Sequence, residues 1–448
     1  MTTSDDGGKS RFQWSEAEDQ KPERAIVLIP DFQRRSDQAD VYRSIDARLE
    51  EAVGLTAAIN LEVARTAIVP LKAMRPATLM GTGKVDEITK IIYEDHIGLA
   101  IVDHTLSPVQ QRNLEKAWNC KVLDRTGLIL EIFGDRAQTK EGRLQVDLAQ
   151  LNYQKGRLVR QWTHLERQRG GAGFMGGPGE TQIEADRREI QAKILRLESD
   201  LEKVRKTRQL HRSQRKKVPH PIIALVGYTN AGKSTLFNKL TGAEVLAKDM
   251  LFATLDPTLR QLVLPKGTKT ILSDTVGFVS NLPTDLVAAF RATLEEVIEA
   301  DLILHIRDIA DPDTSAQAED VYAILSQLGI ENDGHKGVVE VWNKIDLLDK
   351  EALEAIRATK NADIQPLMVS AVTGEGVDAL LAIAEQHIAG SESFQELVLT
   401  PDQMDRISWI YQNTTVIERE DRENGDVWLK VKAAPAIREK LSGNNLIN

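Results

Sequence analysis

The sequence predicts a multidomain α/β protein, and three observations lead to that class. Short apolar, β-branched runs alternate with segments of helical spacing over residues 23–135, a pattern typical of a parallel sheet covered by helices. The same alternation returns over residues 221–390. Between them, two long segments repeat apolar residues at steps of three, four or seven, which predicts paired helices. We therefore expect an N-terminal parallel α/β domain, an antiparallel helical hairpin, a second α/β domain and a small α+β C-terminal domain.

The N-terminal domain is expected over residues 23–135, after a polar stretch of residues 1–22 that we expect to be disordered. Its predicted strands are Ala25–Pro30, Gly98–Asp103 and Lys121–Leu123, and its predicted helices are Val85–Glu94 and Pro108–Trp118. The segment Gly81–Lys84 reads G-T-G-K, but its first glycine is too close to the lysine for a phosphate-binding loop. We expect it to cap a helix instead.

The helical hairpin is expected over residues 136–210, followed by a linker at 211–220. Apolar seam positions run from Leu144 to Leu165 and from Ile183 to Val204. The glycine-rich stretch Gly170–Gly179 between them cannot be helical, so the two helices should fold back on each other. Helices of ~25 residues would each be about 37 Å long.

Charge marks the hairpin as a contact surface for an anionic partner. Residues 153–217 carry 17 Lys+Arg and 8 Asp+Glu, whereas the remainder of the chain has a net charge of −19. Composition alone favours a solvated helical face over a binding surface. The glycines of the tip, with arginines beside them, favour contact with RNA phosphates and splayed bases. The candidate RNA-contacting residues are Arg167, Arg169, Gly170, Gly177, Gly179, Arg187 and Arg188.

A phosphate-binding loop stands near the middle of the chain. Residues Gly227–Ser234 fit the pattern G-x-x-x-x-G-K-[ST], between the predicted strand Ile222–Val226 and the predicted helix Thr235–Leu240. In this context backbone N–H groups surround a phosphate chain, Lys233 reaches the terminal phosphates and Ser234 ligates Mg²⁺. The candidate phosphate-binding residues are Gly227, Asn230, Ala231, Gly232, Lys233, Ser234 and Thr235.

Two further motifs select guanine, and a third serves Mg²⁺. Asn343–Asp346 reads N-K-x-D, in which the Asp346 carboxylate accepts hydrogen bonds from guanine N1 and N2. Ser370-Ala371 follows another predicted strand, where a backbone amide meets the guanine carbonyl. Asp274–Gly277 reads D-x-x-G, with Asp274 holding Mg²⁺ through water. Together the motifs predict a P-loop GTPase domain that binds GTP and GDP, with guanine-binding candidates Asn343, Lys344, Asp346, Ser370 and Ala371.

The switch segments follow from the same motifs. Thr254 is our candidate for sensing the γ-phosphate and completing the Mg²⁺ shell, with Thr258 as the alternative. We assign Phe252, Ala253, Thr254 and Leu255 to switch I, Asp274, Thr275, Val276, Gly277 and Phe278 to switch II, and Ser234, Thr254 and Asp274 to Mg²⁺.

Two positions bear on the rate of hydrolysis. Phe278 stands where many regulatory GTPases carry a glutamine that orients the attacking water. Phenylalanine cannot hydrogen-bond to water, so we expect slow intrinsic hydrolysis with activation supplied from elsewhere. Asn230 resembles the asparagine of potassium-activated GTPases that ligates a monovalent cation. A K⁺ ligand and a residue that only hydrogen-bonds within the loop are both open alternatives for it.

Composition restricts the cellular setting. The single cysteine, Cys120, excludes an internal disulfide and fits a reducing compartment. No apolar run approaches the ~20 residues needed to span a bilayer. The polar, acidic start of the chain does not resemble a signal peptide. We expect a cytoplasmic monomer without membrane insertion, with peripheral membrane association left open.

Across most of its length, from about residue 23 to residue 445, the chain resembles the HflX family of ribosome-associated GTPases. The segments that carry the resemblance are Gly81–Glu87, Leu123–Thr126, Gln145–Leu151, Gly177–Gln182 and Phe252–Thr258. The resemblance implies binding to the large ribosomal subunit and its RNA, and dissociation of stalled or idle ribosomes under stress. It also implies that the hairpin tip reaches towards the peptidyl-transferase region. ATP binding by the N-terminal domain is a further implication that no motif here supports independently.

Two classes of function are compared. One is a GTP-switched enzyme that remodels ribosomes, and the other is a regulatory binding protein that uses GTP as a latch on a protein complex such as a membrane protease. The basic, glycine-rich hairpin favours the first. A cofactor GTPase for tRNA modification is a weaker third option, because the cysteine-bearing end motif usual in that class is absent. The C-terminal domain, expected over 391–448 with a helix near Ala434–Leu441, shows no catalytic constellation.

Overall fold

The structure is a computed structural model, and it confirms the α/β class. It describes residues 23–32, 43–168, 178–215, 220–243, 251–252, 257–280, 294–330, 337–358, 367–391, 393–422, 424–433 and 441. The predicted C-terminal helix lies outside these residues except for Leu441. Within the described ranges, no helix has a stretch that is both long and apolar enough to cross a bilayer.

The N-terminal domain is a four-stranded, all-parallel sheet with helices on both faces. Its strands are β1 (Arg24–Phe32), β2 (Glu62–Leu71), β3 (Leu99–Val102) and β4 (Lys121–Asp124), in the order β2-β1-β3-β4. Its helices are α1 (Ile45–Ala57), α2 (Thr82–Glu94), α3 (Pro108–Trp118) and α4 (Arg125–Arg136). Gly81 is the N-cap of α2, as predicted for the G-T-G-K segment.

Alternation along β1 separates two apolar cores. Val27 and Ile29 pack with α1 and α4 on one face, whereas Ile26 and Leu28 pack with α2 and α3 on the other. The first of these cores does not stop at the domain boundary. It continues through Phe133 of α4 into the second α/β domain.

Two long helices form the hairpin. They are α5 (Lys140–Gln168) and α6 (Pro178–Arg215), which at 29 and 38 residues are about 44 and 57 Å long. Lys155 donates to Gln191 at 2.6 Å, and each residue lies 13 positions from the end of its helix at the tip, so the helices are antiparallel. Ile194 and Leu201, two of the predicted seam positions, are buried.

The hairpin differs from the expectation at both ends of α6. Pro178 and Gly179 were expected in the non-helical tip, but they form the first turn of α6, where proline has no hydrogen bond to lose. At the other end α6 continues to Arg215, into the stretch we expected to be linker. Pairs such as Glu189–Lys193 and Glu202–Lys206, spaced i,i+4, support this highly charged helix.

The second α/β domain is a six-stranded sheet in the order β10-β9-β8-β5-β7-β6. Its strands are β5 (Ile222–Gly227), β6 (Thr258–Val263), β7 (Lys269–Asp274), β8 (Leu302–Asp308), β9 (Gly337–Asn343) and β10 (Leu367–Met368), of which only β6 runs antiparallel. Its helices are α7 (Lys233–Thr241), α8 (Glu295–Ile298), α9 (Thr314–Gln327), α10 (Lys350–Ala358) and α11 (Val377–Ser391), with a 3₁₀ turn at Ile345–Leu347. The carboxyl ends of β5, β7, β8 and β9 therefore share one edge.

The C-terminal unit is a three-stranded antiparallel sheet in the order β11-β13-β12. Its elements are β11 (Ser393–Leu399), a 3₁₀ helix (Pro401–Arg406), α12 (Ile407–Asn413), β12 (Thr415–Asp421) and β13 (Val427–Ala433). Ile410 of α12 packs on its apolar face beside Leu397 and Leu429. This agrees with the predicted α+β module.

Candidate nucleotide-binding site

The phosphate loop connects the central strand β5 to α7. Gly232 is the N-cap of α7 and has φ +90°, a conformation that glycine adopts without strain. A Cβ at this position would lie 2.2 Å from Asn343 Nδ2. The loop thus presents the N-terminus of α7 beside β9, and a side chain at residue 232 would displace the Asn343 amide. Ala231 is buried in this loop, and Thr235 lies in the first turn of α7.

Lys233 is held inside the loop. Its Nζ donates to the carbonyl oxygens of Gly227 at 3.0 Å and Tyr228 at 2.7 Å. Burial lowers the pKa of the Lys233 ammonium to about 8, although the nearby carboxylate of Asp274 opposes the shift. A polyanion at this loop would stabilise the charged form.

Oxygen donors meet beside Lys233. The Ser234 hydroxyl at the start of α7 and the Asp274 carboxylate at the end of β7 are 2.7 Å apart, Oγ to Oδ2. Hard oxygen ligands of this kind suit Mg²⁺, which usually takes few protein ligands and completes its shell with water and phosphate. The described residues contain no cluster of three or more His, Cys, Asp or Glu side chains that could hold a metal alone. The residues therefore fit a Mg²⁺ ion that is shared with a bound phosphate group.

Asn343 connects the phosphate loop to the predicted guanine segments. Its amide Nδ2 donates to the Ala231 carbonyl at 2.8 Å, and its Oδ1 accepts from the Ala371 N–H at 3.0 Å. The side chain is buried. Asn343 thus forms a brace, a side chain that holds the phosphate loop and the Ser370-Ala371 loop together. These two hydrogen bonds fix its orientation without any contact to a guanine base.

The other guanine candidates surround this brace. Lys344 has φ +64°, and its Nζ forms an ion pair of 2.7 Å with Asp308 Oδ2. Asp346 is exposed within the 3₁₀ turn that follows β9. Ser370 is buried, and its Oγ accepts from the Thr373 N–H at 3.0 Å. The structure thus gathers all of these residues at one edge of the sheet and leaves the Asp346 carboxylate accessible.

Switch II is attached to the phosphate loop by backbone hydrogen bonds. The N–H of Phe278 donates to Gly227 O at 3.1 Å, and the N–H of Thr229 donates to Phe278 O at 2.7 Å. The Phe278 ring is only 1% exposed and lies in the apolar core. A Cβ on Gly277 would lie 3.1 Å from Lys233 Nζ. Gly277 is thus next to Lys233. The Phe278 side chain is buried and has no group that could hydrogen-bond to a water molecule.

The two remaining members of the switch II segment lie deeper. Thr275 is buried and donates from Oγ1 to Leu225 O at 2.6 Å, which ties the segment to β5. Val276 is also buried and joins the same apolar core as Phe278.

The described part of switch I is strained. Phe252 has φ +56°, an unusual conformation for a bulky residue. It is held by the ring of Phe133 on α4, whose centroid lies 4.7 Å away in an edge-on contact. Ala253, Thr254 and Leu255 lie outside the described residues, and the alternative threonine, Thr258, pairs with Asp274 across β6 and β7.

The candidate RNA contacts are only partly described. Arg187 and Arg188 are exposed on α6, and Arg188 forms a 3.1 Å ion pair with Glu184. Arg167 lies in the last turn of α5 and Gly179 in the first turn of α6. Arg169, Gly170 and Gly177 lie outside the described residues.

A buried polar cluster beside the phosphate loop was missed by the sequence analysis. Tyr228, at a variable position of the loop pattern, donates to Glu51 of α1 at 2.5 Å and lies 2.6 Å from Ser280 Oγ. Arg125, at the start of α4, donates to the Ser280 carbonyl at 3.0 Å. The only sequence signal was that Arg125 belongs to the segment Leu123–Thr126, for which we had found no role.

Comparison with known proteins covers nearly the whole chain. Four family models match: "GTP-binding GTPase N-terminal" at residues 46–134, "GTP-binding GTPase Middle Region" at 136–215, "50S ribosome-binding GTPase" at 222–344 and "HflX C-terminal domain" at 355–443. The GTPase HflX of Magnetococcus marinus is 47% identical over 95% of both chains. The GTPase HflX of Escherichia coli is 42% identical over 92% of this chain and 93% of its own.

Among solved structures, a GTP-binding protein from Sulfolobus solfataricus in complex with GDP is 22% identical. The match covers 82% of this chain and 98% of that one, with a TM-score of 0.43.

Proposed function

The chain belongs to the HflX family of GTPases, and we propose that this GTP hydrolase binds the large ribosomal subunit and, in its GTP state, dissociates stalled or idle ribosomes under stress. The observation that carries the proposal is the hairpin of α5 and α6. It joins a nucleotide-binding domain to a glycine-rich tip through two helices of 29 and 38 residues. A rigid arm of this length suits insertion into a crevice of folded RNA.

The charge of the arm supports RNA as its partner. Residues 153–217 have a net charge of +9 in a chain whose overall net charge is −10. Lysines and arginines that neutralise phosphates supply affinity without sequence specificity. We propose that the basic helices dock on the ribosome and that the tip enters it, with Arg187 and Arg188 among the docking residues.

The nucleotide site supplies the switch. We propose that Lys233 and the N-terminus of α7 bind the phosphates, and that Asp346 reads guanine. Ser234, Asp274 and Thr254 would hold Mg²⁺, which screens phosphate charge when bound. Because Phe278 is buried in the core, the isolated protein lacks a side chain there to orient the attacking water. Turnover should therefore be slow alone and rise sharply on ribosomes, within the roughly 10³–10⁵-fold range of known GTPase activators.

The proposal is tested by replacing residues 170–177 with a short Gly-Ser turn. GTP binding should be unchanged, because the nucleotide site lies in a different domain. Ribosome splitting, followed by light scattering, should be abolished, while cosedimentation with large subunits in the presence of a non-hydrolysable GTP analogue should persist. Splitting at the parental rate would contradict the proposal.

A second variant separates docking from splitting. Arg187→Gln with Arg188→Gln removes two exposed charges from α6 and keeps the tip. Cosedimentation should then weaken and become less sensitive to salt, since fewer counterions are released. If neither the tip nor the arginine variant affects the ribosome, but the protein still switches with GTP, the regulatory binding protein becomes the better explanation.

A monovalent cation is the second part of the activation proposal. Asn230 is exposed in the phosphate loop at φ +61°, so its side chain is accessible to a ligand. If Asn230 ligates K⁺, turnover should be faster in potassium than in sodium salts of equal ionic strength. Asn230→Ala should remove that difference. Equal rates of phosphate release in the two salts would show that Asn230 serves only the loop.

A further inference from the structure

Two arginines of the N-terminal domain contact Ser280, two residues after switch II: Arg43 Nη1 donates to the Ser280 hydroxyl at 3.3 Å, and Arg125 binds the Ser280 carbonyl. Arg125 Nε and Nη2 donate to the Ser280 carbonyl at 3.3 and 3.0 Å, three residues after Gly277. Its Nη1 donates to Asp103 Oδ1 at 2.5 Å, and its Nη2 also pairs with Glu51. The side chain is only 9% exposed. A planar guanidinium that serves three acceptors at once holds them in a fixed arrangement.

The phosphate loop holds the same serine from the other side. The N–H of Ser280 donates to Tyr228 Oη at 2.8 Å, and the Tyr228 hydroxyl donates to Glu51 Oε2 at 2.5 Å. Both backbone groups of Ser280 are therefore bound, one by the phosphate loop and one by the N-terminal domain. Glu51 connects the two sets of contacts, because its carboxylate binds both Tyr228 and Arg125.

The residue before Arg125 holds the hairpin. Asp124 is fully buried, and its carboxylate accepts from the Tyr153 hydroxyl at 2.5 Å and from Arg157 Nη2 at 2.7 Å. Tyr153 and Arg157 lie one turn apart on α5. The same carboxylate accepts the N–H of Gly127 at 2.8 Å, which caps α4. Asp124 thus fixes the middle of α5 to the junction between β4 and α4.

We propose that Arg125 is a positioning residue that couples switch II to the helical hairpin through its neighbour Asp124. This inference rests on the proposed function, because it names the residues that carry nucleotide-dependent movement to the tip. Movement of Gly277 towards a γ-phosphate displaces the Ser280 carbonyl, and Arg125 moves with it. The junction between β4 and α4 then shifts as a unit, because breaking one partner of a buried charge network leaves the others uncompensated. Asp124 passes the shift to α5.

The coupling can be measured without ribosomes, as a distance between spin labels. Leu195 on α6 and Val263 on β6 are 58% and 57% exposed, so cysteines placed there can be labelled. Cys120→Ala removes the native thiol, which is half-buried and whose pKa burial raises to about 11. The parent should show different label distances with GDP and with a non-hydrolysable GTP analogue. Arg125→Lys keeps the charge but loses the planar fork, so the difference should largely disappear while GTP affinity is retained.

A matched control lies on the same helix. Arg136 ends α4 and donates to Ala58 O at 2.9 Å, a contact within the N-terminal domain. Arg136→Lys should therefore preserve the nucleotide-dependent difference. Tyr153→Phe removes only the hydroxyl that Asp124 binds, and it should reduce the difference from the hairpin end.

The outcomes separate this inference from the proposed function. Loss of the distance change in Arg125→Lys but not in Arg136→Lys supports the coupling. A change of parental size in Arg125→Lys overturns it, and so does a parent whose distances ignore the nucleotide. Ribosome cosedimentation and splitting are measured independently, so the proposed function can stand when the coupling fails.

Discussion

Replacing Gly232 with alanine is expected to abolish GTP binding at micromolar concentrations of nucleotide. The new Cβ would lie 2.2 Å from Asn343 Nδ2, at a backbone φ of +90° that alanine tolerates poorly. Strain and the displaced Asn343 hydrogen bonds together amount to about 3 kcal/mol or more. That energy corresponds to a loss of roughly 100-fold in affinity, which calorimetry or a fluorescent GTP analogue would measure.

Gly267 provides the matched control. It lies in the turn between β6 and β7 with φ +92°, and a Cβ there would meet no atom within 4 Å. Gly267→Ala therefore introduces similar backbone strain without a clash, and the variant should bind GTP like the parent. Normal binding by Gly232→Ala would show that the brace formed by Asn343 can move without cost. Equal losses in both variants would indicate general destabilisation.

Asp346→Asn is expected to weaken GTP binding by about 1–3 kcal/mol, the range for losing hydrogen bonds to a charged group. Asp346 is exposed in the 3₁₀ turn after β9, so the substitution should leave the fold intact. Xanthine carries a carbonyl where guanine carries its 2-amino group, and an asparagine amide can donate to that carbonyl. The variant should therefore gain affinity for XTP as it loses affinity for GTP, which competition binding would measure.

Asp349→Asn tests whether loss of any nearby negative charge is enough to weaken GTP binding. Asp349 lies three residues after Asp346, and its Oδ1 accepts the N–H of Ala352 at the start of α10. Asparagine caps a helix about as well as aspartate, so the control removes a nearby carboxylate without unfolding the helix. An unchanged preference for GTP in Asp346→Asn would contradict the assignment of Asp346 to the base.

The sequence predicted those helices and strands that short local patterns specify. The strand before the phosphate loop and the helix after it follow from a motif that specifies both, and the hairpin helices follow from apolar periodicity. The edge strand β2 was missed, because most of its residues are partly or fully exposed and Pro70, within its apolar second half, argues against a strand. Helix α6 runs to Arg215 because charged residues with strong helix propensity continue it, whereas we interpreted their charge as that of a linker.

In the candidate site, too, local motifs predicted some residues, whereas contacts between distant residues could not be predicted. The residues that would bind GTP come from short motifs, each at the carboxyl end of a strand, and parallel topology brings those ends together. The contacts around Tyr228 could not be predicted, because Glu51 and Ser280 lie 177 and 52 residues away along the chain. Nothing in a local pattern indicates that a tyrosine in a phosphate loop will meet a glutamate from another domain.

The apolar core that passes from α4 through Phe133 to Phe252 and Phe278 has a consequence for how the protein can be divided. Sequence families separate the chain at residues 134–136 and 215–222, as if its parts were independent modules. The apolar core contains residues from both sides of those boundaries. A fragment that begins at residue 221 would present to water the rings and aliphatic side chains that α1 and α4 normally cover, and would lack the residues that hold its switches. We therefore expect the GTPase rate of such a fragment to differ from that of the full chain, and the N-terminal domain to be needed for the native rate.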